Sequence, residues 1–182
     1  MHTLRASNKP QQRGVSLIES MVALSIASLA IGTTLPGMSS LRQHVELTGV
    51  AAQLETDIQF ARGNAAAMNR SVRLSLGEAA GSTCYIVHTG SVADCSCTAD
   101  AAAVCRGDAE LLRSVSFPTQ GLVQVRSSVR SIVFEPSRGT VTPTATLRVE
   151  GRDGRALRQV VNLMGRVRTC SPAGSVAGER SC

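Results

Sequence analysis

The spacing of hydrophobic and polar residues changes twice along the chain. From Val15 to Leu35, 21 residues carry one charge, Glu19. As a helix this run spans roughly 30 Å, about one bilayer hydrocarbon core. From about Met38 the pattern becomes amphipathic. Leu41, Val45, Leu54, Ile58, Ala61, Ala65 and Met68 recur at helical spacing, while Gln43, Glu46, Gln53, Glu55, Asp57 and Arg62 fill much of the remainder. The spacing predicts one long helix over about 15–68, bent near Pro36-Gly37, whose second half packs on a globular head. After Asn69 the chain breaks into short β-like runs: Ser71–Leu76, Cys84–His88, Leu111–Phe117, Leu122–Arg126, Ser131–Glu135, Thr140–Val141, Thr146–Glu150 and Arg158–Leu163. Glu150-Gly151-Arg152-Asp153-Gly154-Arg155 has the residues of a hairpin tip. A helix followed by antiparallel strands predicts an α+β fold.

Charge sharpens this division. Residues 1–14 carry +3 and no acids, residues 15–110 carry −4, residues 111–170 carry +7, and the last twelve are neutral. The basic character belongs to the N-terminal leader and the C-terminal half. Of 19 basic residues, 18 are Arg, which coding bias explains as readily as Arg's bidentate fit to phosphate does. Mean hydropathy is +0.08, too low for a polytopic membrane protein. With three Phe, one Tyr and no Trp, a reader that stacks bases on aromatic platforms is not expected.

The N-terminal run is too long for the apolar region of an ordinary signal peptide, and Ala27-Ser28-Leu29-Ala30 is a poor cleavage site. Arg13 and the other leader charges favour a cytoplasmic N-terminus. A plain anchor leaves Glu19 unexplained, since a carboxylate deep in a bilayer costs about 2–3 kcal/mol. Arg13-Gly14-Val15-Ser16-Leu17-Ile18-Glu19 resembles the processing site of type IV pilins and type II secretion pseudopilins. The resemblance implies peptidase cleavage between Gly14 and Val15 and methylation of Val15, where the family usually has Phe. It makes Glu19 the fifth mature residue, an assembly group that neutralises a neighbouring subunit's terminal amine. Pro36 lies where many members carry a kinking proline.

The resemblance extends to the GspH/FimT branch through three stretches. These are Ala61-Arg62 with Ala65, Asn69-Arg70 and Val72; Ile132-Val133-Phe134-Glu135-Pro136-Ser137-Arg138-Gly139; and Asn162-Leu163-Met164-Gly165-Arg166-Val167-Arg168-Thr169-Cys170. It implies a leader over 1–14, a membrane and filament-core helix over 15–36, and an amphipathic helix over 37–69. A β-rich periplasmic head over 70–170 and a tail over 171–182 would follow. The expected location is the bacterial inner membrane, single-pass, and the pilus after assembly. The expected partners are other pilins, the prepilin peptidase and the membrane.

Gly165-Arg166-Val167-Arg168 is the most distinctive local motif. In an extended segment Arg166 and Arg168 face one side about 7 Å apart, near the spacing of phosphates on a DNA strand. Gly165 would leave room for close approach, and Arg148, Arg152, Arg155 and Arg158 would extend the patch. FimT-type minor pilins with this motif are associated with binding double-stranded DNA for uptake, and the resemblance implies that role here. The same arginines also suit a solvated edge strand guarded against aggregation.

Six cysteines, Cys84, Cys95, Cys97, Cys105, Cys170 and Cys182, favour disulfides in an exported chain. Cys95 and Cys97 are poor mutual partners, so each is expected to reach Cys84 or Cys105. Cys170 and Cys182 would close a C-terminal loop resembling that of many pilins. Cys-x-Cys spacing is not a zinc finger's. His2, His44 and His88 sit in no metal or nucleophile motif, and no nucleophile elbow or phosphate loop occurs. No enzyme activity, metal or cofactor is expected. Besides a minor pilin, the chain suits a type II secretion pseudopilin or a membrane-tethered module that never polymerises.

Overall fold

A computed structural model describes residues 16–100 and 102–182, excluding the side chains of 32–37. The cleavage position Gly14-Val15 lies outside the described residues, and so do the side chains at the expected bend, Pro36-Gly37. The chain divides into two compact units, one ending at Ser40 and one running from Leu41 to Cys182.

The helix α1 is Leu17–Met68. At its start the Ser16 hydroxyl accepts the Glu19 backbone N–H at 3.3 Å, satisfying one of the orphan donors of a first turn. Between Ser16 and Ile31 every side chain is exposed, including Leu17, Ile18, Val22, Leu24 and Leu29. Among the described residues no helix is long and apolar enough to cross a membrane. The described side chains of the apolar stretch cover 16 residues, Ser16 to Ile31.

In the second unit α1 buries Leu47, Ala51, Leu54, Ile58, Ala61 and Ala65. These positions alternate in steps of four and three, so they share one face. The expected stripe is corrected at three positions. Leu41 and Val45 are 58% and 59% exposed, and Met68 is also exposed. Val45 precedes Leu47 by two residues, about 200° around the helix, and so faces away from the core. Asn69 ends the helix at φ +50, and the Arg70 N–H reaches back to the Ala65 carbonyl at 3.3 Å. This is the six-to-one bond of a Schellman end.

Eleven strands follow among the described residues: β1 (Val72–Ala79), β2 (Ser82–Thr89), β3 (Cys95–Cys97), β4 (Ala103–Cys105), β5 (Leu111–Pro118), β6 (Val123–Ser127), β7 (Ser131–Phe134), β8 (Val141–Thr142), β9 (Ala145–Gly151), β10 (Ala156–Val161) and β11 (Val167–Cys170). All eight expected runs form strands; β3, β4 and β11 are additional. The strands build a five-stranded sheet, β5-β2-β1-β7-β8, a four-stranded sheet, β11-β10-β9-β6, and the small β3-β4 pair. All pairings between these strands are antiparallel.

Both large sheets contribute to one core with α1. Val72, Leu74, Tyr85, Val87, Ile132 and Phe134 come from the first, and Val125, Leu147, Val149, Leu157 and Val161 from the second. This core lies wholly within Leu41–Cys182, so that unit carries its own hydrophobic interior. Gln159, fully buried on β10, donates to the Ala51 carbonyl of α1 at 2.6 Å. Cys84 pairs with Cys97 and Cys95 with Cys105, stapling β3-β4 onto β2. A Cβ on Gly77 would fall 2.7 Å from the Cys97 sulfur, so β1 needs glycine there.

Candidate functional site

The outer face of the four-stranded sheet concentrates the basic charge of the C-terminal half. Leu157, Gln159 and Val161 point to the core, so Arg158 and Val160 point outward. The register places Arg126 of β6 opposite Arg148 of β9, and Arg148 opposite Arg158 of β10. Three arginines from three strands thus form one row across the sheet, spaced about 4.8 Å apart at the backbone. Arg168 of β11 pairs with Val160 and is therefore the outward diagonal neighbour of Arg158.

Arg166 extends the same face. It lies opposite Asn162, whose N–H donates to the Arg166 carbonyl at 3.1 Å. The Asn162 side-chain oxygen accepts the N–H groups of Met164 and Arg166 at 3.0 and 2.9 Å, fixing the turn before the motif. Arg166 and Arg168 are both exposed. The acid on this face is Glu150, whose carboxylate pairs with Arg148 at 3.1 Å.

Two of the expected site residues change their meaning. Arg155 sits at the β9-β10 hairpin tip, at the other end of β10 and about 20 Å along the strand from the Asn162 turn. Its guanidinium pairs with Asp153 at 2.6 Å, a bond that holds the Asp153 carboxyl below its usual range. Gly165 is buried, and a Cβ there would lie 3.1 Å from Arg62 Cδ and from Val141 Cγ2. Its φ is +70, and its carbonyl accepts from Gln59 at 3.4 Å. Glycine is therefore required by the turn and by packing on α1, and leaves no open space for a ligand.

The C-terminal tail is fixed beside this face. Cys170 bonds Cys182, Ser171 exchanges backbone bonds with Arg180 and Cys182, and Val176 is buried. All six cysteines are in disulfides, so none is left as a thiolate ligand.

Two buried polar clusters have no counterpart in the sequence pattern. Asp57, expected on the polar side of α1, is 0% exposed. It accepts the Tyr85 hydroxyl at 2.6 Å and pairs with Arg113, whose guanidinium lies over the Phe60 ring. Burial, and next the bond to Asp57, push the Tyr85 hydroxyl upward in pKa. His88 is also fully buried. Its Nδ1 donates to the Thr89 carbonyl at 2.8 Å, leaving Nε2 to accept the Ser75 hydroxyl at 2.9 Å. Burial lowers its pKa. With both partners enclosed, the pair has no access to a substrate.

Residues 50–165 match the family described as type II transport protein GspH, and residues 9–35 match the prokaryotic N-terminal methylation motif. The chain belongs to the GspH family. Its fold is the α+β pilin fold, and its role is that of a pilin or pseudopilin subunit. No curated protein matches it. Two crystal structures of the type IV minor pilin FimU of Pseudomonas aeruginosa resemble this GspH-family chain. One has a TM-score of 0.47 and 18% identity over 70% of this chain and 92% of that one. The other has 0.46 and 16% identity over 69% and 96%.

Proposed function

We propose that this GspH-family chain is a minor type IV pilin that binds double-stranded DNA on the outer face of its four-stranded sheet and supports pilus assembly and DNA uptake. The observation that carries the reading is the row Arg126, Arg148 and Arg158, continued by Arg168 and Arg166. Guanidinium groups spaced along a face contact phosphates without reading bases, so binding is non-specific and salt-dependent. Like charges directly opposite one another weaken a sheet, and a ligand that neutralises them accounts for their presence. At the other end, the methylation motif supports cleavage between Gly14 and Val15, methylation of Val15 and an assembly role for Glu19. The unassembled chain is then a single-pass inner-membrane protein with its head in the periplasm.

The test is titration of residues 41–182 with a duplex of random sequence. Wild type should bind, and Arg126→Gln/Arg158→Gln/Arg168→Gln should bind at least several-fold more weakly. Equal affinity refutes the DNA face. The family description favours a second reading, a minor pseudopilin of a type II secretion system. Recovery of the chain with secretion pseudopilins, and its absence from sheared pili, would select that reading.

A further inference from the structure

A cleft of about 860 Å³ opens between β1 and β6. Its origin is a strand that changes sheets. β7 pairs with β1 over Val72–Ser75, and the last bond in that direction runs from the Leu76 N–H to the Arg130 carbonyl, 2.8 Å. Upstream of Arg130 the chain leaves β1, and β6 pairs with β9 instead. Among the described residues the far half of β1, Gly77–Ala79, therefore has no strand on that side, and β6 has none on the side away from β9.

The backbone direction on both walls follows from the ladder. In antiparallel pairing the N–H and C=O of one residue point to the same side, and successive residues alternate. Since the Leu76 N–H faces β7, the N–H and C=O of Glu78 face the cleft. Arg152 donates to the Leu122 carbonyl and Ser128 to the Thr146 carbonyl, both at 3.0 Å. Even-numbered residues of β6 are thereby committed to β9, and Val125 and Ser127 turn their backbone groups the other way. Outside the strand ladders, Glu78, Val125 and Ser127 make no backbone bond among the described residues. Glu78, Val125 and Ser127 all line the cleft. Two unpaired sheet edges, one from each large sheet, thus face the same space.

The cleft is bounded at both ends. Gln124 bridges one end by donating to the Pro118 carbonyl at 2.6 Å, and the Leu76–Arg130 bond closes the other. Inside, the buried Ser82 hydroxyl has no hydrogen-bond partner among the described residues. Arg126 and Arg130 on the lining outnumber Glu78, so the cleft favours an anionic guest. The chain's own tail is tied to β11, three strands away from β6.

We propose that this cleft is a docking site for an extended peptide segment of another protein, carrying a carboxylate, which adds as a strand between β1 and β6. The guest's main chain would pair with Glu78 on one side and with Val125 and Ser127 on the other, joining the two sheets. Its carboxylate would meet Arg126 or Arg130. The backbone pairing is independent of the DNA reading, because none of these backbone groups belongs to the outer arginine row; of the two guanidinium groups Arg126 is shared with that row and Arg130 is not.

The experiment pans a phage-displayed library of random heptapeptides against residues 41–182. Enriched peptides should contain Asp or Glu and slow hydrogen exchange of the Glu78 and Val125 amides. Glu78→Pro removes the N–H that β1 turns to the cleft and leaves the β1-β2 bonds of Gly77 and Ala79 in place. It should weaken the selected peptides about tenfold, the effect of one hydrogen bond, while Glu78→Ala retains binding and DNA affinity is the same in both variants. Failure to enrich peptides, equal binding to Glu78→Pro, or protection elsewhere on the head each overturns the proposal. Should Glu78→Pro fold poorly, exchange protection in the wild type decides alone.

Discussion

On the proposed DNA-binding role, replacing Arg166 and Arg168 with Gln should change the salt dependence of binding by an amount the face itself sets. Five arginines lie on it, and Arg148 is partly neutralised by Glu150, leaving the charge of about four phosphate contacts. Each contact releases counterions and contributes a slope of about −0.9 to log affinity against log salt. The wild-type slope is then about −3.6, and affinity falls about 150-fold between 50 and 200 mM salt. The double variant retains two contacts, a slope of about −1.8 and a fall of about 12-fold. Fluorescence anisotropy with a labelled random duplex, at five or six salt concentrations, measures both slopes on residues 41–182. Arg155→Gln is the control, because that guanidinium is tied to Asp153 at the hairpin tip and should leave the slope at the wild-type value. A double variant with the wild-type slope removes Arg166 and Arg168 from the interface. A slope lowered equally by Arg155→Gln shows that net charge, and not this face, governs binding.

The remaining predictions concern assembly and stability. Glu19→Ala should leave membrane insertion intact and reduce recovery of the chain in sheared filaments; normal incorporation would remove the assembly role. Asp57→Ala strands the buried Tyr85 hydroxyl and unpairs Arg113, whose side chain is 41% exposed, and should cost about 2–3 kcal/mol in urea unfolding, whereas Tyr85→Phe should cost about 1–2 kcal/mol. A loss below 1 kcal/mol for Asp57→Ala would show that the cluster is not holding α1 to β2 and β5. Burial, helped by Arg73, outweighs the Thr89 carbonyl and Asp94 and keeps His88 neutral, so its folded pKa lies below its unfolded value of about 6.5. The unfolded chain then binds more protons below that pH, and stability is present above about 6.5 and declines as pH falls towards the folded value. The melting temperature of His88→Gln should therefore change less than that of wild type between pH 7.5 and 5; parallel curves would contradict the assignment.

What the sequence makes legible follows from the range over which each interaction acts. The helix and eight strands depend on local periodicity, and the β9-β10 hairpin on Gly151 and Gly154, so all were readable. The phase of the helix stripe was not, because which side of α1 is buried is decided by the sheets. Leu47 and Ala51 replace Leu41 and Val45 in the core for that reason. Asp57 reads as a surface acid until Tyr85 and Arg113, 28 and 56 residues away, come to meet it. The short strands β3 and β4 are too brief to show a period of two, and disulfides rather than propensity hold them. The Arg166 and Arg168 pair was visible as a motif, but Arg126 was not. Its membership follows only from the β6-β9 register.

That register also bears on the plainest rival account of the arginines. A coding bias towards Arg explains why 18 of 19 basic residues are Arg, because it acts on residue type. It has no means of aligning them. Arg126, Arg148 and Arg158 are separated by 22 and 10 residues in sequence, and only the folded sheet brings them side by side. An outward sheet position is satisfied by any polar residue, and Thr146 and Gln124 occupy such positions on the same strands. Protection of an open edge explains arginine on β11 or β6, the two edge strands. It does not explain Arg148 or Arg158, which lie on the interior strands β9 and β10 and guard no edge. Mutual repulsion across those strands opposes the fold, and an extended anion laid across the sheet, as the proposed function requires, would relieve it.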